Sequence, residues 1–107
     1  NYESSCVKTI SSDLTLNKLP QKVMIDCSHG NSNKDFQRQS DVLLNVANQI
    51  KKGEKNILGV MLESHLKEGN QKLNNINDLE YGKSITDACI NIQKTEELLI
   101  SLYESVN

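Results

Sequence analysis

The sequence predicts an α/β fold in which short strands of a parallel sheet alternate with helices. Three observations predict it. Residues 22–27 and 57–62 are apolar runs of strand length that do not alternate with polar residues, as in strands covered on both faces. Segments whose apolar residues recur at helical spacing precede, separate and follow these runs. Polar stretches containing Gly and Asn then punctuate the order. Such alternation is the pattern of βα units.

The elements follow in chain order. Val7, Ile10 and Leu14 have helical spacing and predict a helix over about residues 3–16. Pro20, the single proline, divides it from the first strand at 22–27. Residues 28–33 have loop composition. Val42, Leu43, Val46, Ala47 and Ile50 then share one helical face, with Ser40 as the expected cap and Lys51, Lys52 and Gly53 closing the end. The second strand occupies 57–62, and 64–83 reads as a long polar loop with Gly69 and Gly82. Residues 84–89 are expected to form a third, shorter strand. The last helix is expected to begin near Thr95, with Glu96 and Glu97 in its first turn. Leu98, Leu99, Leu102, Tyr103 and Val106 form its expected buried face. Three strands are few for a complete domain of this type. With Asn1 in place of an initiating Met, a piece of a larger protein is expected.

Composition narrows the function. A net charge of −2 and the absence of any Lys/Arg run give no footprint for nucleic acid or for an anionic membrane. No run approaches the roughly 20 apolar residues of a membrane span, and the first residues do not resemble a signal peptide. Cys6, Cys27 and Cys89 are far apart and form no CxxC pair, so neither a disulfide framework nor a Cys-rich zinc site is expected. They read as packing residues in a reducing, cytoplasmic setting.

The chemistry is expected where strands end. His29 follows the first apolar run, Glu63 follows the second and Asp87 lies in the third. In parallel βα folds the carboxyl ends of the strands share the edge that carries the active site. One imidazole and two carboxylates suit a divalent first-row ion such as Mn²⁺, Fe²⁺, Co²⁺ or Zn²⁺. Spacing alone leaves alternatives open. His65 competes with His29, Asp26 and Glu68 compete with the acids, and each residue taken singly also fits a structural role.

The local sequences carry more. Residues 22–32, Lys-Val-Met-Ile-Asp-Cys-Ser-His-Gly-Asn-Ser, closely resemble the strand-and-loop motif of type I 3-deoxy-D-arabino-heptulosonate-7-phosphate (DAHP) synthases. So do residues 59–71, from Gly59-Val60-Met61-Leu62-Glu63-Ser64-His65 to Gly69-Asn70-Gln71, and residues 81–89, Tyr-Gly-Lys-Ser-Ile-Thr-Asp-Ala-Cys. The motifs stand in family order and spacing and span essentially the whole chain. The resemblance implies a (β/α)₈ barrel, of which residues 1–107 would be the C-terminal part, about three βα units of one domain. It also implies that His29, Glu63 and Asp87 are three of four protein ligands of a divalent metal. The fourth, a cysteine near the start of the barrel, has no counterpart among Cys6, Cys27 and Cys89. The implied reaction condenses phosphoenolpyruvate with erythrose 4-phosphate, with His29 and Asp87 beside the reacting carbonyl as catalytic residues, and the implied parent is a homo-oligomer. The family's phosphoenolpyruvate-binding arginines and lysines have no counterpart in this segment. Arg38, the only arginine, reads as solvent-facing.

An isolated segment of this kind is therefore expected to be inactive. One alternative is a non-catalytic piece or split-barrel subunit that associates with full-length synthase. Another is a metal-dependent hydrolase with similar ligands, which the consecutive motifs disfavour. The sister condensation with arabinose 5-phosphate is disfavoured by Tyr81-Gly82-Lys83 and Thr86-Asp87-Ala88-Cys89. The motifs resemble more than one feedback class and leave the aromatic effector open.

Overall fold

Helix α1 spans Ser4–Leu16 and turns its buried Val7 and Ser11 onto the start of the sheet, while Ile10 is exposed. Strand β1 (Val23–Asp26) pairs in parallel with β2 (Ile57–Met61), Ile25 lying beside Val60 and Asp26 beside Met61. Helix α2 (Gln39–Lys51) makes the crossover between them. A second parallel pair joins β3 (Ser64–His65) to β4 (Ile90–Asn91), and α3 (Ile92–Ser105) follows directly. The computed structural model describes residues 1–107 in full, and no helix is long and apolar enough to cross a membrane.

The core lies where the helices cover one face of the sheet. Val7, Ile25, Cys27, Val42, Leu43, Val46, Ile90 and Leu98 form one buried cluster. The apolar stripe of α2 predicted from its spacing supplies three of them, which is why this helix is the best-anchored element. The opposite face is uncovered: Met24 is 63% exposed, and Leu58 is 73% exposed. The radius of gyration, 16.1 Å, exceeds the roughly 13 Å of a compact domain of about 100 residues. The result is a partial α/β arrangement, two short parallel pairs with the β1–β2 pair covered by helices on one face.

Several local expectations are corrected. Ser40 does not cap α2. Asp35 caps a short 3₁₀ turn, Phe36–Arg38, by accepting the Gln37 N–H at 3.1 Å, and the helix runs on from that turn. Residues 84–89 form no strand. Their backbone is held through isolated bridges at Ser84 and Cys89, and the strand comes one residue later, at Ile90–Asn91. Asn91 caps α3 by accepting the Lys94 N–H at 2.8 Å, so the helix begins at Ile92, not near Thr95, and Glu96 and Glu97 lie beyond its first turn. Of its expected buried face only Leu98 is buried and Leu102 partly so; Leu99, Tyr103 and Val106 are exposed.

The polar loop is an ordered structure. Gln71 clamps it, donating from Nε2 to the carbonyls of Glu80 and Lys83 and accepting the Glu80 N–H, each at 2.9 Å. Gly69 and Cys89 exchange two backbone hydrogen bonds at 2.8 and 3.1 Å. Gly82 has φ +81, and a Cβ there would lie 2.9 Å from Leu66 Cβ, so a glycine is required at that turn.

A second glutamine works at the junction of the two sheets. Gln39, fully buried at the start of α2, accepts the Glu63 N–H at 2.8 Å through Oε1 and donates to the Glu63 carbonyl at 3.1 Å through Nε2.

Candidate metal centre

His29, Glu63 and Asp87 reach one point from three separate segments. His29 stands in the turn after β1, Glu63 in the gap between β2 and β3, and Asp87 in the bend before β4. His29 Nε2 lies 3.2 Å from Glu63 Oε1 and 3.4 Å from Asp87 Oδ2. One ligand atom from each residue lies within 4.8 Å of the others. They border a cleft of about 300 Å³, which Ser28, Lys34, Phe36 and Asn70 help to wall. The cleft is open: Glu63 is 21% exposed, His29 49% and Asp87 67%.

Local hydrogen bonds aim these groups. His29 Nδ1 lies 2.8 Å from Asp26 Oδ2. An ionised carboxylate only accepts, so Nδ1 carries the proton and donates, and Nε2 is left to face the two acids. Asp26 Oδ1 accepts the Ser28 N–H at 2.8 Å, and the Asn31 side chain donates to the Asp26 carbonyl at 2.8 Å. His29 itself adopts a left-handed backbone, φ 49, closed by the Lys34 N–H donating to its carbonyl at 2.8 Å. Non-glycine residues adopt that conformation where surrounding bonds hold it, and functional turns are a common place for it. The Ser28 hydroxyl donates to Glu63 Oε2 at 2.6 Å, leaving Oε1 turned to His29.

The electrostatics follow. The His29 pKa is raised above its ordinary value of 6.5, first by the hydrogen bond to Asp26, then by the charges of Glu63, Asp26 and Asp87, with desolvation opposing. Three carboxylates, those of Asp26, Glu63 and Asp87, thus stand around one imidazole. The donor set, one imidazole nitrogen and two carboxylates with an oriented tautomer and open solvent access, fits a divalent first-row ion.

The rival residues fall elsewhere. His65 is exposed, and its Nδ1 accepts the Leu66 N–H at 2.8 Å. Glu68 is exposed and does not border the cleft. Asp26 is His29's partner and stands outside the cluster of His29, Glu63 and Asp87. Cys27 and Cys89 are buried, and burial pushes the Cys27 thiol up to about 12, with the Asp26 charge adding to it. Burial likewise raises the Cys89 thiol. Thiolates are the ligating form, so neither is poised for it. Arg38 is exposed, as its setting suggested. Sequence reasoning missed the orienting roles of Asp26 and Ser28 and the place of Lys34 on the cleft wall. Asp26 at three residues before His29 was the one available signal.

Comparison with known proteins gives a consistent result. The profile of the DAHP synthetase I family matches residues 1–100. The Phe-sensitive phospho-2-dehydro-3-deoxyheptonate aldolase of Escherichia coli is 51% identical over 106 residues, covering 99% of this chain and 30% of that protein. The Trp-sensitive aldolase of Enterobacter agglomerans is 48% identical over 107 residues, covering 100% of this chain and 31% of that one. The solved structure of phospho-2-dehydro-3-deoxyheptonate aldolase from Francisella tularensis superposes with a TM-score of 0.94 at 42% identity, over 99% of this chain and 30% of that chain. The chain thus spans about 30% of the length of these relatives.

Proposed function

The chain belongs to the DAHP synthetase I family, and on that premise we propose that it supplies the divalent-metal side of a DAHP synthase site. The reaction proposed for the whole enzyme joins phosphoenolpyruvate to erythrose 4-phosphate, the first step toward the aromatic amino acids. The enol carbon bonds to the aldehyde carbon, water adds at the carbon bearing the phosphate ester, and phosphate departs. The observation that carries this reading is the convergence of His29, Glu63 and Asp87 from three separate segments, with potential ligand atoms within 4.8 Å of one another.

His29 through Nε2, Glu63 and Asp87 would hold the ion. When bound, a divalent ion of this kind supplies Lewis acidity and a template for the aldehyde. Asp26 fixes the imidazole tautomer, and Ser28 fixes the Glu63 carboxylate. His29 and Asp87 are proposed to border the reacting carbonyl. Lys34 is the one lysine on the cleft wall, which has no arginine, too little charge for two phosphate-bearing substrates. The converging arginines such anions need are proposed to come from the remainder of the enzyme.

We propose further that residues 1–107 form the C-terminal part, about three βα units, of a (β/α)₈ barrel domain in a self-associating parent. The order of the parallel strands and the apolar residues left open on one sheet face support this. That open face also supports a second reading, in which the chain binds synthase subunits without catalysing.

The test begins with Mn²⁺ titrated into the chain by calorimetry, with circular dichroism on the same sample. Micromolar binding that His29→Ala abolishes is expected; a folded chain that binds no metal would refute the site. Turnover is then measured on mixing with the upstream segment of a related synthase. Restored activity that needs both substrates supports the split-site reading, and none, despite association, supports the non-catalytic one.

A further inference from the structure

We propose that Gln39 is a positioning residue for the metal site, its side-chain amide taking the place of a strand neighbour to fix the backbone of Glu63. The inference rests on the metal-centre reading above.

Glu63 lies where strand pairing fails. The Cys27 N–H donates to the Met61 carbonyl at 2.9 Å, and in a continuing parallel ladder the Cys27 carbonyl would accept the Glu63 N–H. The chain instead turns away at Ser28 toward His29. Gln39 Oε1 accepts that N–H at 2.8 Å, and Nε2 donates to the Glu63 carbonyl at 3.1 Å. The same carbonyl accepts the Ile90 N–H at 3.0 Å, so the strand that follows Asp87's bend is tied to the same residue. Glu63 is held at both ends, by Gln39 at its backbone and by Ser28 at its carboxylate.

The burial of Gln39 makes the amide informative. It is 0% exposed on a helix whose other buried residues are mostly apolar, where an apolar side chain would avoid the desolvation of an amide. Both of its polar functions go to one residue, and that residue is a proposed ligand. Gln49, the other buried glutamine of α2, is different. Its Nε2 donates to the Tyr2 carbonyl and to Asn45 Oδ1, and its Oε1 has no partner. It ties the start of the chain to the helix and does not border the cleft.

The pair sets the experiment. Gln39→Met and Gln49→Met are each made in the full 107-residue chain, and Mn²⁺ affinity, thermal midpoint and exchange of the Glu63 amide are measured. Gln39→Met is expected to weaken Mn²⁺ binding by about 10–100-fold and to speed exchange at Glu63. Gln49→Met is expected to lower the thermal midpoint with Mn²⁺ affinity unchanged. Unchanged affinity in a folded Gln39→Met overturns the inference alone. Equal loss in Gln49→Met also overturns it, because general loosening would then explain both. No Mn²⁺ binding by the unaltered chain overturns the metal-centre reading and this inference with it. If Gln39→Met does not fold, Gln39→Asn, one methylene too short to meet both backbone groups, is judged by the same criteria.

Discussion

Replacing Asp26 with asparagine tests whether the imidazole of His29 is held in the tautomer the site needs. The new amide would keep its oxygen on the Ser28 N–H, now 2.8 Å from Asp26 Oδ1, and turn its NH₂ to His29 Nδ1. Nδ1 must then accept, the ring proton moves to Nε2, and the nitrogen facing Glu63 and Asp87 is blocked. Loss of an orienting partner costs about 10–100-fold in metal affinity. Because His29 and Asp26 are 49% and 43% exposed, solvent screens the charge contribution, and the low end, about tenfold, is expected. Calorimetric Mn²⁺ titration at mildly alkaline pH isolates this effect from protonation. The pH dependence has a definite sign. His29 is raised above 6.5 and must lose its proton to bind metal, so affinity falls as pH drops through the raised value. In the metal-free chain the imidazolium's favourable contacts are fully present below 6.5 and are lost as pH rises through the raised value. Asp26→Asn removes the largest cause, so the NMR titration midpoint of His29 should fall. Unchanged Mn²⁺ affinity together with an unmoved midpoint would refute the assignment of Asp26.

In a complete synthase carrying this segment, His29→Ala, Glu63→Ala and Asp87→Ala should each lower metal-dependent turnover by orders of magnitude, whereas His65→Ala should leave it near wild type. Equal loss at His65 would count against the ligand set. Gly82→Ala meets Leu66 and forces a left-handed residue, a strain of about 1–2 kcal/mol. Hydrogen exchange should rise at the Lys67 amide, which donates to the Gly82 carbonyl at 2.8 Å, and an unaltered rate would show that the turn adapts. Cys27, fully buried with its thiol near 12, should resist iodoacetamide at mildly alkaline pH until denaturant is added; labelling of the native chain would contradict that burial.

Much of this was legible because it was local. The runs ending at Asp26 and Met61 are strands since their side chains are apolar in succession and their neighbours are polar, and the α2 stripe lies at one helical face. The third strand was misplaced because Ser84, Thr86 and Asp87 belong to a hydrogen-bonded loop, which an apolar count cannot distinguish from an edge strand. The start of α3 was placed late because the first turn after the Asn91 cap, Ile92-Gln93-Lys94-Thr95, carries a single apolar residue and so little periodic signal. The convergence of His29, Glu63 and Asp87 was suggested by their places after apolar runs and by motif resemblance, and the three side chains do meet. Their supports were not legible: Ser28 meets Glu63 across 35 residues and Gln39 across 24, and no local pattern encodes a pairing at such separation.

The Gln71 clamp bears on how such a sequence tolerates insertions. Its bonds to Glu80 and Lys83 close the chain beneath residues 72–79, so those residues form a side excursion whose two ends are already joined. Closing a loop of doubled length adds only about 0.6 kcal/mol of entropy. Added or deleted residues there would leave the spacing between Glu63 and Asp87 in space unchanged, even as their separation along the chain changes. The stretch is therefore a natural place for lineages to diverge in length, or for a tag to be inserted, without disturbing the chemistry of the cleft.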